Sequence, residues 1–400
     1  MAGIMARRIL RIFPELRSTS ILQVKNVQHH LPLCWNSHAV LEQITAPRTS
    51  VSQPSLHTKD HLGLWYKIEP EVLKQLYNLG GIPKKYAVQA KTFNETCLMV
   101  REPALTVIDL IKRSNLSLPP NKFLLYGRDG VGKTLSQAHI LHYLAEEGWL
   151  LIHLPVPSAW RRDIKEVVPS TSVPGRFDHP LQAALWLQHF RSQNSELMKT
   201  LQLETSMTYT WTRRESTEAG SPLMALVEQG VGRARFASDC IMALATEIKK
   251  HATDGRCKVA VVVDGINTFY CPNTLYRRED RTIVEPDNFT LFQAFSQFFD
   301  SDWKNGVVVG SVDRMANDGG RRESHLPRYL LRRKGWEKLD PFIPIPVDNY
   351  NELEMESVIN YYVDRHWLQT VDGASAEGRK ELKALSGYNP MTLMEVCNAL

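Results

Sequence analysis

The stretch Gly127-Arg128-Asp129-Gly130-Val131-Gly132-Lys133-Thr134 constrains this chain more than any other, because it fits G-x-x-x-x-G-K-[ST] between a strand-like and a helix-like run. The apolar residues Phe123 to Tyr126 precede it, and Leu135, Ala138, Ile140, Leu141 and Leu144 follow at helical spacing. In that context the glycines let backbone N–H groups curl round the α- and β-phosphates of a nucleotide. Lys133 then reaches the β- and γ-phosphates, and the Thr134 hydroxyl ligates Mg²⁺, at a helix N-terminus that favours anions. Residues 127–134 are therefore the candidate phosphate-binding loop; the alternative is a glycine-rich turn that holds a lysine by chance.

A second signal agrees. Lys258-Val-Ala-Val-Val-Val-Asp264 is a β-branched run closed by an aspartate, as expected of a buried parallel strand that delivers a carboxylate to the magnesium shell. Many ATP-hydrolysing machines follow this aspartate with a glutamate that activates water, whereas here Gly265, Ile266 and Asn267 follow. Asn267 can position a water, but its amide does not accept a proton as a carboxylate does. Weak or no intrinsic nucleotide hydrolysis is expected.

Five runs read as strands: 122–126, 149–155, 258–264, 306–312 and 341–347, with helical segments between most of them. Alternating strands and helices predict right-handed crossovers and a mostly parallel sheet covered on both faces. The expected fold is an α/β P-loop NTPase of the AAA and signal-transducing ATPase type, with strand order 5-1-4-3-2. Pro344 and Pro346 make the last strand an edge. The interval 156–257 exceeds one crossover, so it holds an insertion with helices near 180–200 and 223–251.

The expected boundaries are 1–47, a presequence and processing region; 48–120, an extension with short helices at 70–79 and 103–113; 121–348, the nucleotide-binding domain; and 349–400, a small helical lid. The presequence reading rests on Arg7, Arg8, Arg11 and Arg17 against one acid, Glu15, with Ile4, Ile9, Ile12 and Phe13 for an apolar side. A basic, RNA-binding or disordered arm is the alternative. No apolar run approaches membrane-spanning length. Cys34, Cys97, Cys240, Cys257, Cys271 and Cys397 lack C-x-x-C pairing and zinc spacing, which predicts reduced thiols. The net charge of +5 permits anionic partners without requiring them.

In the lid, Gly387-Tyr388-Asn389-Pro390 resembles the G-x-P turn that approaches the base in those ATPases, making Tyr388, Asn389 and Pro390 the base-side candidates. A helix terminator followed by a proline-started helix explains the same residues. Between Arg314 and Lys338, eight basic residues stand against Asp318, Glu323 and Glu337, with Tyr329 and Trp336 among them. That is either an RNA or protein contact or a solvated face.

Several segments together carry a likeness to a known family. Arg214-Glu-Ser-Thr-Glu218 with Gly220-Ser221-Pro222, Arg176-Phe177-Asp178, Val263-Asp264-Gly265-Ile266-Asn267 and Leu339-Asp-Pro-Phe-Ile-Pro-Ile345 resemble the death-associated protein three family. Its members are nucleotide-binding proteins of the mitochondrial ribosomal small subunit. The likeness runs from about Tyr86 onward. It implies a mitochondrial matrix protein in the head of the small subunit that binds GTP or GDP with Mg²⁺. It further implies small-subunit protein and rRNA neighbours, large-subunit contacts at an intersubunit bridge, and a link to apoptosis. The phosphate roles fall on Gly127, Gly132, Lys133 and Thr134, and the magnesium role on Asp264. No N-K-x-D guanine motif follows the loop, so guanine rests on the resemblance, and ATP is the alternative.

Overall fold

The computed structural model describes residues 44–317 and 323–398. The expected presequence and processing region, apart from 44–47, and Cys34 lie outside the described residues. Five strands form one sheet: β1 (Asn121–Tyr126), β2 (Leu150–Leu154), β3 (Val259–Val263), β4 (Gly306–Ser311) and β5 (Ile343–Pro346), in spatial order β5-β1-β4-β3-β2. All four neighbouring pairs are parallel, with Val309 of β4 opposite both Phe123 and Val262. This is the order read from the strand runs. β5 pairs with β1 alone, and Pro344 and Pro346 are exposed, because a proline offers no N–H to a further neighbour.

Successive strand residues point to opposite faces, so each strand feeds two cores. Phe123, Leu125, Ala260, Val262, Val307 and Val309 pack under helices α1 (Glu102–Arg113) and α2 (Lys133–Glu146). Leu124, Ile152, Val259, Val261, Val263 and Val308 enter the opposite core with α3 (Pro180–Leu201) and α4 (Ala237–Thr253). With both faces covered the strands are apolar throughout, and this is why they were legible as unbroken runs.

The insertion holds α3, two short hairpins (Val168–Pro169 with Phe177–Asp178, Tyr209–Thr210 with Ser216–Thr217), the helix Met224–Gly232, and α4. The single helix expected over 223–251 is two. Gly230 and Gly232 weaken it, and a 3-10 turn at Ala234–Phe236 re-aims the chain. Gly230 is needed for close packing, since a Cβ there would lie 2.3 Å from Leu187.

The extension and the C-terminal helices share a third core. A two-stranded ribbon, Trp65–Lys67 with Cys97–Met99, and the helix Lys84–Phe93 pack against α6 (Glu352–Asp364) and α7 (Pro390–Cys397). Trp65 stacks on Tyr361 with ring centroids 4.2 Å apart, and its indole N–H donates to Ser357 Oγ at 3.0 Å. The basic region forms α5 (Pro327–Leu339), broken at Arg332, whose φ of 58° and ψ of −177° lie where almost only glycine goes. The five described cysteines are buried. Among the described residues no helix is long and apolar enough to cross a membrane.

Candidate functional site

The loop 127–134 leaves the end of β1 and enters α2 through Gly132, whose φ is +98°. Gly130 has φ +78°, and a Cβ there would lie 2.6 Å from Asn389 Oδ1 and 2.7 Å from Met391 Cβ, so only glycine fits beneath the C-terminal turn. Val131 is buried in the core. The Lys133 ammonium donates to the carbonyls of Gly127 at 3.0 Å and Arg128 at 2.9 Å. Burial pulls its pKa down, while Asp313, Asp129 and Asp264 pull it back up.

Asp264 follows β3 and sits across the cleft. Thr134 Oγ1 donates to its Oδ2 at 2.8 Å and Ser311 Oγ to its Oδ1 at 2.5 Å, while Gly265 N donates to Ser311 Oγ at 2.9 Å. Burial raises the Asp264 pKa and the two hydroxyl donors oppose the rise. Hydroxyl and carboxylate oxygens are hard donors suited to Mg²⁺. Among the described residues no cluster of three His, Cys, Asp or Glu side chains is set to hold a metal. A magnesium ion at Thr134 and Asp264 would thus complete its shell with phosphate and water, its usual habit.

A cavity of about 400 Å³ opens over the loop. Gly130, Lys133, Thr134, Asp264 and Asp313 form its polar end; Trp65, Tyr86, Tyr362, Met391 and Met394 form an apolar wall suited to a flat ring. Asp129 also lines the cavity and pairs with Arg314 at 3.5 Å.

The three base-side candidates have separate positions. Pro390 lines the cavity. Asn389 caps α7 by accepting from the N–H groups of Met391 and Thr392, and its Nδ2 donates to Asp129 O at 2.9 Å while Met391 N donates to Gly130 O at 3.1 Å. Cap and loop contact are the same residue. Tyr388 is not on the cavity wall: its hydroxyl donates to Glu352 at 2.9 Å, on the exposed side of the turn. Asn267 is fully buried, and its amide is committed to the 313–317 turn, donating to Asp313 O and Asn317 Oδ1 and accepting from Asp313 N. It holds that turn and offers the cleft no donor for a water.

Two buried residues escaped the sequence reading. Arg101, just before α1, donates from Nη1 to Val131 O at 2.7 Å and from Nη2 to Asp348 O at 3.0 Å, with its guanidinium 4.9 Å from the Tyr350 ring centroid. Glu354, in the first turn of α6, pairs with it through both carboxylate oxygens. The one sequence signal was Asn351-x-x-Glu354, a helix-capping pattern that the structure confirms and that says nothing of Arg101. Asp313 was missed as well, because its place in the cleft depends on β4 lying beside β3.

Residues 98–396 match the family described as mitochondrial ribosomal death-associated protein 3. The chain is 38% identical over 350 residues to the small ribosomal subunit protein mS29 of Bos taurus, covering 88% of this chain and 87% of that protein. It is 39% identical over 356 residues to the small ribosomal subunit protein mS29 of Mus musculus, covering 89% and 90%. A chain of the solved E. coli MS115-1 HORMA:CdnC:Trip13 complex covers 84% of this chain and 94% of its own at 11% identity. Its TM-score of 0.28 is too low to bear on the fold.

Proposed function

Because this chain belongs to the mitochondrial ribosomal death-associated protein 3 family, we propose that it is a mitochondrial small-subunit ribosomal protein holding a guanosine nucleotide and Mg²⁺ as part of its fold. It acts in the matrix, among small-subunit proteins and rRNA, and reaches the large subunit at an intersubunit bridge. The observation that carries the nucleotide reading is the cradle itself: left-handed glycines at 130 and 132, a buried lysine, and a threonine hydroxyl on the strand-end aspartate. Phosphates would lie along the N–H groups of 130–134 and against Lys133, the ion between Thr134 and Asp264, and the base along the apolar wall. This is P-loop NTPase chemistry of binding.

Nucleotide co-purifying with the chain, released by denaturation and identified by mass spectrometry, is the direct test. GTP or GDP is expected; an adenine nucleotide would overturn the base assignment alone, and no nucleotide at all would overturn the cofactor reading. The apoptosis link implied by the family is tested separately, by comparing cell-death responses to the wild-type and Lys133→Ala chains.

A second reading, a matrix switch that hydrolyses its nucleotide, is favoured by one observation. Asp313 brings a carboxylate to the polar end of the cavity, although one of its oxygens already accepts from Met315 N. Rapid single-turnover phosphate release that Asp313→Asn abolishes would establish it over the structural role.

A further inference from the structure

The basic helix α5, broken at Arg332, carries a groove lined by its own side chains. Arg328 and Trp336 are eight positions apart, a rise of about 12 Å in a straight helix. With the chain bent at Arg332, the Arg328 guanidinium lies 5.5 Å from the Trp336 ring centroid. Arg328, Arg332, Arg333, Trp336 and Glu337 line a groove of about 310 Å³.

The groove is anchored rather than loose. Lys334 pairs with Asp287 and Lys338 with Asp300, tying α5 to the segment beneath it. Gly335 lies against the Tyr270 ring, where a Cβ would come within 2.4 Å, and Trp336 meets Phe342 edge to face at 4.9 Å. Arg333 is outermost and pairs with Glu337 at 2.7 Å, an exposed pair that a stronger anion can displace. The segment thus presents an indole edged by arginines whose planar forks suit phosphate, from a backbone held in a sparsely populated conformation.

We infer that this groove binds single-stranded RNA, a base or ribose packing against Trp336 and Arg328 and the adjoining phosphates meeting Arg332 and Arg333. The inference rests on the small-subunit reading for its biological setting and on the groove alone for its chemistry. Stacking plus arginine contacts is how proteins hold unpaired nucleotides with little sequence preference. An acidic protein segment would use the cations but have no need of the aromatic floor.

The test uses the full mature chain and a fluorescein-labelled twelve-nucleotide RNA of mixed sequence, read by anisotropy over a salt series. Arg328→Glu is expected to weaken binding by about tenfold or more and to lower the salt slope by ~0.7 for each phosphate that the chain no longer neutralises. Trp336→Leu is expected to weaken it about tenfold at an unchanged slope, because it removes stacking and leaves every cation in place. Equal melting temperatures and equal retained nucleotide show that both variants are folded. Unchanged RNA affinity in both would overturn the inference. In assembled subunits, a photo-crosslinker placed at Arg333 should label rRNA; labelling only protein would overturn it in favour of a protein partner. Wild-type co-sedimentation with small subunits is scored apart, so failure of the ribosomal reading shows there and leaves the RNA titration to judge the groove.

Discussion

Arg101 and Glu354 stand 253 positions apart and meet as a bidentate pair, Nε to Oε1 at 3.0 Å and Nη2 to Oε2 at 3.1 Å, with both side chains more than nine-tenths buried. The same guanidinium holds Val131 O and Asp348 O, so one side chain fastens the 127–134 loop to the start of α6. Removing one partner leaves an uncompensated buried charge, costing about 3–5 kcal/mol. Glu354→Leu and Arg101→Met should each lower the urea midpoint sharply and loosen nucleotide, while the double variant should lose less than the sum. Additive losses in the four-way cycle would show that the two residues act separately.

Nucleotide that binds only the folded chain contributes about 4 kcal/mol when free ligand stands a thousandfold above its Kd. Lys133→Ala and Thr134→Ala should therefore lower Tm, flatten its dependence on added Mg²⁺-nucleotide, and impair incorporation into small subunits. Variants that lose nucleotide yet melt and assemble like wild type would reduce the nucleotide to a regulatory passenger.

At Gly130 the expected effect is local. Alanine there is strained by the positive φ, at about 1–3 kcal/mol, and drives a methyl into Asn389 and Met391. Gly130→Ala should weaken nucleotide binding and expose the 387–391 turn to limited proteolysis. Wild-type affinity in this variant would show that the turn moves aside freely.

Acid should destabilise the fold through buried imidazoles. Burial holds His142, His179 and His189 down at about 4, against roughly 6.5 in an unfolded chain. Between those values the unfolded state binds protons that the native state refuses, so stability is full above pH ~6.5 and falls as pH drops toward 4. Urea midpoints at fixed nucleotide should fall by about 1 M or more between pH 7 and pH 5. A flat profile over that window would mean that these rings find partners when charged.

Processing is expected within about the first 45 residues, since the arginine-rich start reads as an import signal. Terminal sequencing of the chain from purified mitochondria should find neither Met1 nor Ala2; intact Met1 would remove the presequence reading.

What the sequence disclosed follows from how the chemistry is built. The turn at 127–134 is built from consecutive residues between a strand and a helix, so it is contiguous and readable. The aspartate at 264 ends a strand buried on both faces, and such strands are unbroken apolar runs. The apolar wall was not legible, because Trp65, Tyr86, Tyr362 and Met394 come from four elements that meet only through the third core. The helix Lys84–Phe93 was missed because it is short and polar overall, with lysines at 84, 85 and 91. Asn267 misled for the opposite reason: it follows Asp264 closely in sequence, and only its burial and its bonds to the 313–317 turn reveal its structural task.

The contact of Asn389 with Asp129 O spans 260 positions. In a chain delivered from its amino end, by a ribosome or through an import channel, the 127–134 loop arrives long before the turn that roofs it. Nucleotide met early would find an open shelf with neither Met391 nor Met394 above it, and would leave readily. If the proposed nucleotide is held there, tight capture would belong to the finished chain, and occupancy would mark its completion.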